Sequence, residues 1–171
     1  HGKKLIERAR DFFKGMVERW IHKDWLRFTA LNISQDPETL DYMAKSGNFG
    51  MLVGIESTNE TVLKKMNKQV NLKLGTDSYF DCIQKIHNAG LVVWGSVVFG
   101  ADGDDKDSFK RMTDFILENN IDILTFGINC PFPKTQLYAR LDSEKRIFRK
   151  NYPEDWQYYD TAHVVHRFVD M

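Results

Sequence analysis

The sequence predicts an α/β protein of parallel β/α units, arranged as a doubly wound sheet or a barrel. Three observations carry this. Amphipathic segments and short apolar runs alternate along most of the chain. The run from Gly50 to Ile55 is nearly all apolar, as a strand covered on both faces is. Four strand-like runs are separated by helices, so successive strands need crossover connections, and such crossovers are right-handed.

The first element is a helix, because Leu5, Ile6, Ala9, Phe12, Phe13, Met16, Val17 and Trp20 recur at three- and four-residue spacing. Trp25 to Ile33 (WLRFTALNI) reads as the first strand. Asp36-Pro37 starts the next helix, an N-cap acceptor followed by proline at the first helical position, and Gly47 lies just past its end. Gly50 to Ile55 is the second strand. Thr58 or Asn59 caps a helix holding Val62, Leu63 and Met66, and the polar stretch from Asn67 to Gly75 reads as a loop. Thr76-Asp77 caps a helix through Phe80, Ile83 and His87, which Asn88-Ala89-Gly90 ends. Leu91 to Phe99 (LVVWGSVVF) is a β-branched third strand. A helix with Phe109, Met112, Phe115 and Ile116 on one side spans Asp104 to Asn120, and Ile121 to Asn129 is the fourth strand. Residues 1–142 are thus β/α units of a single domain, and 143–171 form an irregular closing segment rich in aromatics, among them Trp156, Tyr158 and Tyr159.

A chain of 171 residues is long enough for one sizeable domain and short for two. Lys plus Arg and Asp plus Glu are both 24, so the formal net charge is zero and nothing advertises a nucleic-acid or acidic-membrane partner. No apolar run approaches the length of a membrane span, and no signal-peptide pattern occurs. Two cysteines, Cys82 and Cys130, make no disulfide framework and suggest a reducing, cytoplasmic setting; alone they cannot ligate a cluster. The chain opens with His1-Gly2 rather than Met, as a processed chain or a piece of something longer does.

In parallel β/α architectures the ligand sits at the carboxyl ends of the strands. Those ends are Asn32-Ile33-Ser34, Gly54-Ile55-Glu56-Ser57, Phe99-Gly100-Ala101-Asp102 and Asn129-Cys130-Pro131. Glu56-Ser57, a carboxylate beside a hydroxyl, suits a sugar's vicinal hydroxyls or an amino group, and Gly95 and Gly100 let backbone approach a flat ring. The alternative is that Glu56 and Ser57 cap the next helix, whose dipole an acid also suits. The run from Asp102 to Asp107 resembles a calcium loop, but the loop's glycine would fall on Asp107 and its final glutamate on Thr113, so it reads as a helix N-terminus with acids in its first turn. His163 and His166 have no third ligand spaced to join them, and His87 and Cys82 read as structural. Cys130, at a strand's end before Pro131, stays a weaker candidate for the site. The glycine patterns of dinucleotide folds and phosphate loops are absent.

Four stretches, in fixed order, carry a resemblance. They are GIES (Gly54 to Ser57) followed by a helix with LKKMNK, HNAGLVVWGSVVFGADGDD (His87 to Asp105), CPFPKTQLY (Cys130 to Tyr138) and RIFRKNYPEDWQYYDTAHVV (Arg146 to Val165). Together they resemble the fourth-strand region, the fifth strand with its FG-x-D turn, the sixth-strand P-x-P-G-T-x-L-Y signature and the closing segment of radical S-adenosylmethionine enzymes. The likeness is greatest to the cobalamin-binding-domain subgroup, which includes the anaerobic magnesium-protoporphyrin monomethyl ester cyclases. Lys134 stands where the signature has glycine. The family's C-x-x-x-C-x-x-C triplet is nowhere in the chain.

The resemblance implies the later part of an open, partial TIM-type barrel, from its third strand to its sixth. It implies a parent enzyme whose four-iron four-sulfur cluster is held by thiolates outside this chain, and in which S-adenosylmethionine is cleaved reductively to a 5′-deoxyadenosyl radical that takes a substrate hydrogen. Use of cobalamin by the parent stays open. An oxidoreductase of the cyclase type or a methyltransferase, a small-molecule substrate, and an electron donor such as flavodoxin or ferredoxin follow from the same resemblance. Glu56, Ser57 and Gly54 would meet the nucleoside or methionine part of the cofactor. Val98, Phe99 and Gly100 would bring backbone near adenine, Asn129 and Pro131 would lie beside adenine or substrate, and Asn32 and Ser34 would touch cofactor or substrate. Neither a catalytic residue nor a metal ligand is expected in the chain, which alone would be inactive. The first strand's outer edge would be covered by the first helix or pair in a homodimer. Two other classes stay open: a cluster-free β/α ligand-binding module, and a barrel hydrolase or lyase with Glu56 and Asp102 as acid and base.

Overall fold

A computed structural model of the chain describes residues 2–169 and 171, with side chains from Lys4 onward. Four strands, β1 (Trp25–Thr29), β2 (Asn48–Glu56), β3 (Val92–Phe99) and β4 (Ile123–Ile128), form one parallel sheet in the order β1-β2-β3-β4. That order decides between the two architectures. Right-handed crossovers that always step the same way put every helix on one face, whereas a doubly wound sheet reverses its strand order partway. The sheet is a stretch of barrel wall.

The helices are α1 (Gly2–Glu18), α2 (Pro37–Lys45), α3 (Glu60–Lys65), α4 (Gln69–Leu74), α5 (Tyr79–Asn88), α6 (Ser108–Glu118) and α7 (Gln136–Ser143). Alternation along the strands sorts the two faces of the sheet. Met51, Val53 and Ile55 of β2 and Val93 and Val97 of β3 are buried in one core with Phe13 of α1, Leu40 and Met43 of α2, and Tyr79, Ile83 and Ile86 of α5. Each aliphatic side chain so buried is worth roughly 1.5–3 kcal/mol. On the other face the row Phe28–Leu52–Trp94–Ile123 crosses the sheet in register, and among the described residues no layer covers it: Phe28 is 75% exposed and Ile123 42%.

Among the described residues β1 pairs only with β2. Helix α1 packs on α2 and stacks Phe13 on Trp25, with ring centroids 4.8 Å apart and the Arg27 guanidinium over the Phe13 ring. As expected, Asp36 caps α2, accepting from Thr39 N at 3.1 Å, and of the two cap candidates for α3 it is Asn59 that accepts, from Thr61 N at 2.8 Å. No described helix is long and apolar enough to cross a membrane.

Several local expectations are corrected. The first strand ends at Thr29, because Leu31–Gln35 closes into a 3-10 helix in which Ser34 Oγ donates to Leu31 O at 2.8 Å. The stretch 67–75 is not a loop: α4 forms there, anchored by buried Asn71, a tertiary contact overriding a weak local pattern. Thr76 and Asp77 lie in a 3-10 turn ahead of α5 rather than at its cap. Helix α6 starts at Ser108, not Asp104, and has no acid in its first turn, because Asp104 is used on the strand-end turn and Asp105 binds Arg111 at 2.7 Å. Helix α7 adds an element that the sequence pattern does not predict. Beyond it the described residues are irregular except for a 3-10 turn at Glu154–Tyr158 and an isolated bridge between Ile147 and His166.

Candidate functional site

Glu56 is the unusual residue at the carboxyl edge of the sheet. Strands β2 and β3 stay in register to the pair Gly54–Ser96, and then a bulge shifts the pairing so that Glu56 meets Val97. At the bulge Glu56 has φ +65°, a left-handed conformation that costs a residue with a side chain about 1–2 kcal/mol. Its carboxylate folds back onto the uncovered face of the sheet: a Cβ on Gly54 would stand 2.8 Å from Glu56 Oε1. Glycine at 54 is what leaves room for it.

The same oxygen accepts from Lys68 Nζ at 2.6 Å, with the Glu56 side chain only 14% exposed. Among the described residues no hydrogen bond reaches Oε2. Beneath the bulge, Nδ2 of buried Asn71 lies 2.9 Å from Gly54 O, 3.2 Å from Ile55 O and 2.9 Å from Tyr79 Oη. A bulge interrupts the strand ladder and leaves carbonyls to be satisfied elsewhere, and here α4 supplies the donor. Burial, partly offset by Asn71, pushes the Tyr79 phenol above its ordinary value.

The other strand-end residues fall into separate settings. Ser57 is buried and its Oγ accepts from Asn59 N at 3.1 Å, finishing the turn into α3. Ser34 Oγ is engaged in its own turn, and Asn32 is half-buried in the same 3-10 helix. Val98 is half-buried opposite Gly127, and Phe99 stacks on Phe109 with centroids 4.4 Å apart. Asn129 N donates to Phe99 O at 2.7 Å, and Asn129 lines a cleft of about 320 Å³ together with Lys65, Ala101, Asp102, Gln136 and Arg140. Pro131 is buried, and burial pushes the thiol of half-buried Cys130 up.

Gly100 has φ +81°, and its N–H and that of Ala101 donate to Asp104 Oδ2 at 3.0 and 3.1 Å. Burial raises the Asp104 carboxyl above its ordinary value despite these bonds. The space a Gly100 side chain would need is filled by the Phe168 ring. The turn therefore meets the closing segment. Asp102 is clamped by Arg146 Nη2 at 2.7 Å and Arg140 Nη1 at 2.5 Å, and the Arg146 hydrogen bond first, then Arg140, holds its carboxyl below the usual range. With both oxygens bound by arginines and its carboxyl held below the usual range, Asp102 is both a poor proton donor and a weak base, which weighs against the Glu56–Asp102 acid–base pair.

Of the sequence candidates, Gly54 and Glu56 come together on the uncovered face, and Val98 lies on that face two residues beyond Ser96 on β3. Lys68, Asn71 and the Arg140–Arg146 clamp escaped the sequence. Lys68 is one lysine among several in a polar run, and Asn71 lay in a stretch that reads as loop. Among the described residues no three His, Cys, Asp or Glu side chains are arranged to hold a metal ion; Cys82 is buried in α5 and Cys130 follows β4. The described side chains do not fit a cluster.

No protein-family model matches the chain. It is 31% identical over 155 residues to bacteriochlorophyllide d C-12(1)-methyltransferase of Chlorobaculum tepidum, a match that covers 91% of this chain and 32% of that protein. It is 31% identical over 118 residues to hopanoid C-2 methylase of Rhodopseudomonas palustris, covering 69% of this chain and 22% of the methylase. The chain thus spans a third or less of the length of these relatives. In fold it matches TsrM of Kitasatospora setae, a radical S-adenosylmethionine methyltransferase whose structure holds cobalamin and a [4Fe-4S] cluster, with a TM-score of 0.71 and 14% identity over 86% of this chain and 30% of TsrM. A second TsrM structure, with tryptophan and a S-adenosylmethionine analogue bound, matches with a TM-score of 0.67.

Proposed function

We propose that this chain, a member of the radical S-adenosylmethionine superfamily, is a segment of a longer methyltransferase. The relatives described above are named for methyl transfer and none for oxidative cyclisation. This favours methyl transfer over the cyclase-type oxidoreductase that the sequence resemblance also allowed. The proposal extends to a four-iron four-sulfur cluster and cobalamin, both held by parts of the parent outside these residues, to an electron donor of the flavodoxin or ferredoxin kind, and to a small-molecule substrate.

The role proposed for this chain is to present the carboxyl edge of its sheet to S-adenosylmethionine. One observation carries it: Glu56, in a left-handed conformation, lays its carboxylate over Gly54 on the uncovered face, with one oxygen unengaged among the described residues. Lys68 already balances the charge, so a neutral hydroxyl donor suits the remaining oxygen better than a second cation. S-adenosylmethionine would bring both the hydroxyls to be bound and the methyl group to be moved. Val98 and Asn129, farther along the same edge, are the proposed neighbours of its base or of the substrate.

The test uses the full-length parent, reconstituted anaerobically and given S-adenosylmethionine labelled in its methyl group. The label should move to an acceptor. Glu56→Ala should weaken cofactor binding by about tenfold, the worth of one hydrogen bond to a charged group. Unchanged affinity and cleavage in Glu56→Ala would remove Glu56 from the site. A desaturated or cyclised product without label would return the cyclase reading.

A further inference from the structure

We propose that Lys68 is a positioning residue for Glu56: it holds one carboxylate oxygen so that the other faces the uncovered side of the sheet, and α4 is the platform from which it does so. The inference rests on the reading of Glu56 as a ligand contact, and it concerns residues in a segment that looks like a loop in the sequence.

Three observations converge. Glu56 is held in a backbone conformation that residues with side chains avoid, at a register shift between β2 and β3. A carboxylate on such a backbone has no reason to lie over Gly54 unless something fixes it there. Lys68 Nζ, 2.6 Å from Oε1, is the one ion-pair partner of Glu56 among the described residues. Lys68 in turn immediately precedes α4, whose buried Asn71 binds the carbonyls of Gly54 and Ile55. Backbone and side chain of the bulge are thus both tied to the same two turns of chain, Lys68 from the top and Asn71 from below. The Lys68 tie is not needed to fill the core. Lys68 is a half-exposed side chain, and an ordinary surface pair would gain little from so constrained an acceptor.

The geometry separates the two residues' roles. Asn71 makes the bulge, so its loss should disturb the fold. Lys68 only aims the carboxylate, so its loss should leave the fold alone and be felt in binding. An arginine can keep the aim through its own N–H groups, and a methionine of similar length cannot.

The experiment uses the full-length parent with S-adenosylhomocysteine as the probe, read by calorimetry beside a thermal melt. Lys68→Met should bind about tenfold more weakly, the effect of disordering one charge-assisted hydrogen bond, while still unfolding in a single cooperative thermal transition. Lys68→Arg should restore most of the affinity. The double variant Glu56→Gln with Lys68→Met should be no weaker than Glu56→Gln alone, because the lysine acts only through the carboxylate. Additive losses, or wild-type affinity in Lys68→Met, overturn the proposal. If the wild-type parent does not bind the probe, the functional reading fails by itself, and the positioning claim is then decided by a crystal structure of Lys68→Met. A carboxylate displaced from Gly54 supports it, and one still in place refutes it.

Discussion

Gly100→Ala should detach the closing segment from the edge of the sheet. At φ +81° alanine pays the left-handed cost, about 1–2 kcal/mol. The added methyl would also stand 3.1 Å or closer to three ring carbons of Phe168, so the ring must leave. Phe168 is half-buried and packs edge-on against His166 with centroids 5.1 Å apart; losing that seat costs roughly 1–2 kcal/mol, part of a full phenylalanine burial. The stiffer unfolded chain of the alanine variant returns about 0.4–1 kcal/mol. The net is a loss of about 2 kcal/mol, equivalent to about 4–8 °C in melting temperature for a chain of this size. Thermal unfolding followed by circular dichroism measures the loss, and limited proteolysis should show faster cleavage after Tyr159. Adding Phe168→Ala to Gly100→Ala should leave only the backbone strain relative to Phe168→Ala alone. A melting temperature within about 1 °C of wild type, with unchanged proteolysis, would refute the argued contact between turn and closing segment.

Two further predictions follow from backbone and charge. Lys134 stands at φ +69°, where a β-branched side chain is worse than lysine by about 1 kcal/mol and glycine is at no disadvantage in the folded state; melting temperatures should rank Lys134→Gly at or above wild type and Lys134→Val below it, and the reverse order would contradict the assigned turn. His166 is buried with Nδ1 unpartnered, and burial first, then Arg146, holds its imidazole below the ordinary value of 6.5. The folded state therefore binds fewer protons than the unfolded one below that value. Its contribution to stability is complete above about pH 6.5 and is lost on acidification until the folded value is passed, at up to about 1.4 kcal/mol per pH unit. Asp104, shifted up by burial, works the other way and returns stability as pH falls toward its ordinary value of 3.8. Melts of wild type and His166→Leu between pH 7 and 5 check this: the variant should lose the slope, and equal slopes would show that His166 does not carry it.

Much of the architecture was legible because it rests on local chemistry. Asp36-Pro37, the apolar run of β2 and the β-branched run of β3 each fix their element with little help from elsewhere. Lys134 was legible as an oddity, and its left-handed backbone explains why glycine is usual at that place in the resembled signature. What escaped depends on contacts distant in sequence. Helix α4 is only six residues long, and it is anchored through the Asn71 amide on β2. The turn at Leu31–Gln35 breaks an apolar run through Ser34, whose hydroxyl donates to the Leu31 carbonyl. The acids after β3 read as helix-terminal, yet Asp102 answers two arginines about forty residues away, and Asp104 caps a turn rather than a helix. At the candidate site the sequence offered Glu56 and Ser57 as equals. Their hydrogen bonds separate them: Ser57 completes the turn into α3, while Glu56 is held apart by Lys68.

The central claim is that this chain is part of a radical S-adenosylmethionine core, and sequencing the parent gene upstream of the His1 codon tests it most directly. The account predicts a C-x-x-x-C-x-x-C motif there, in frame, within a span that fits the earlier strands of the barrel. An in-frame upstream sequence that supplies no such triplet of cysteines would contradict it.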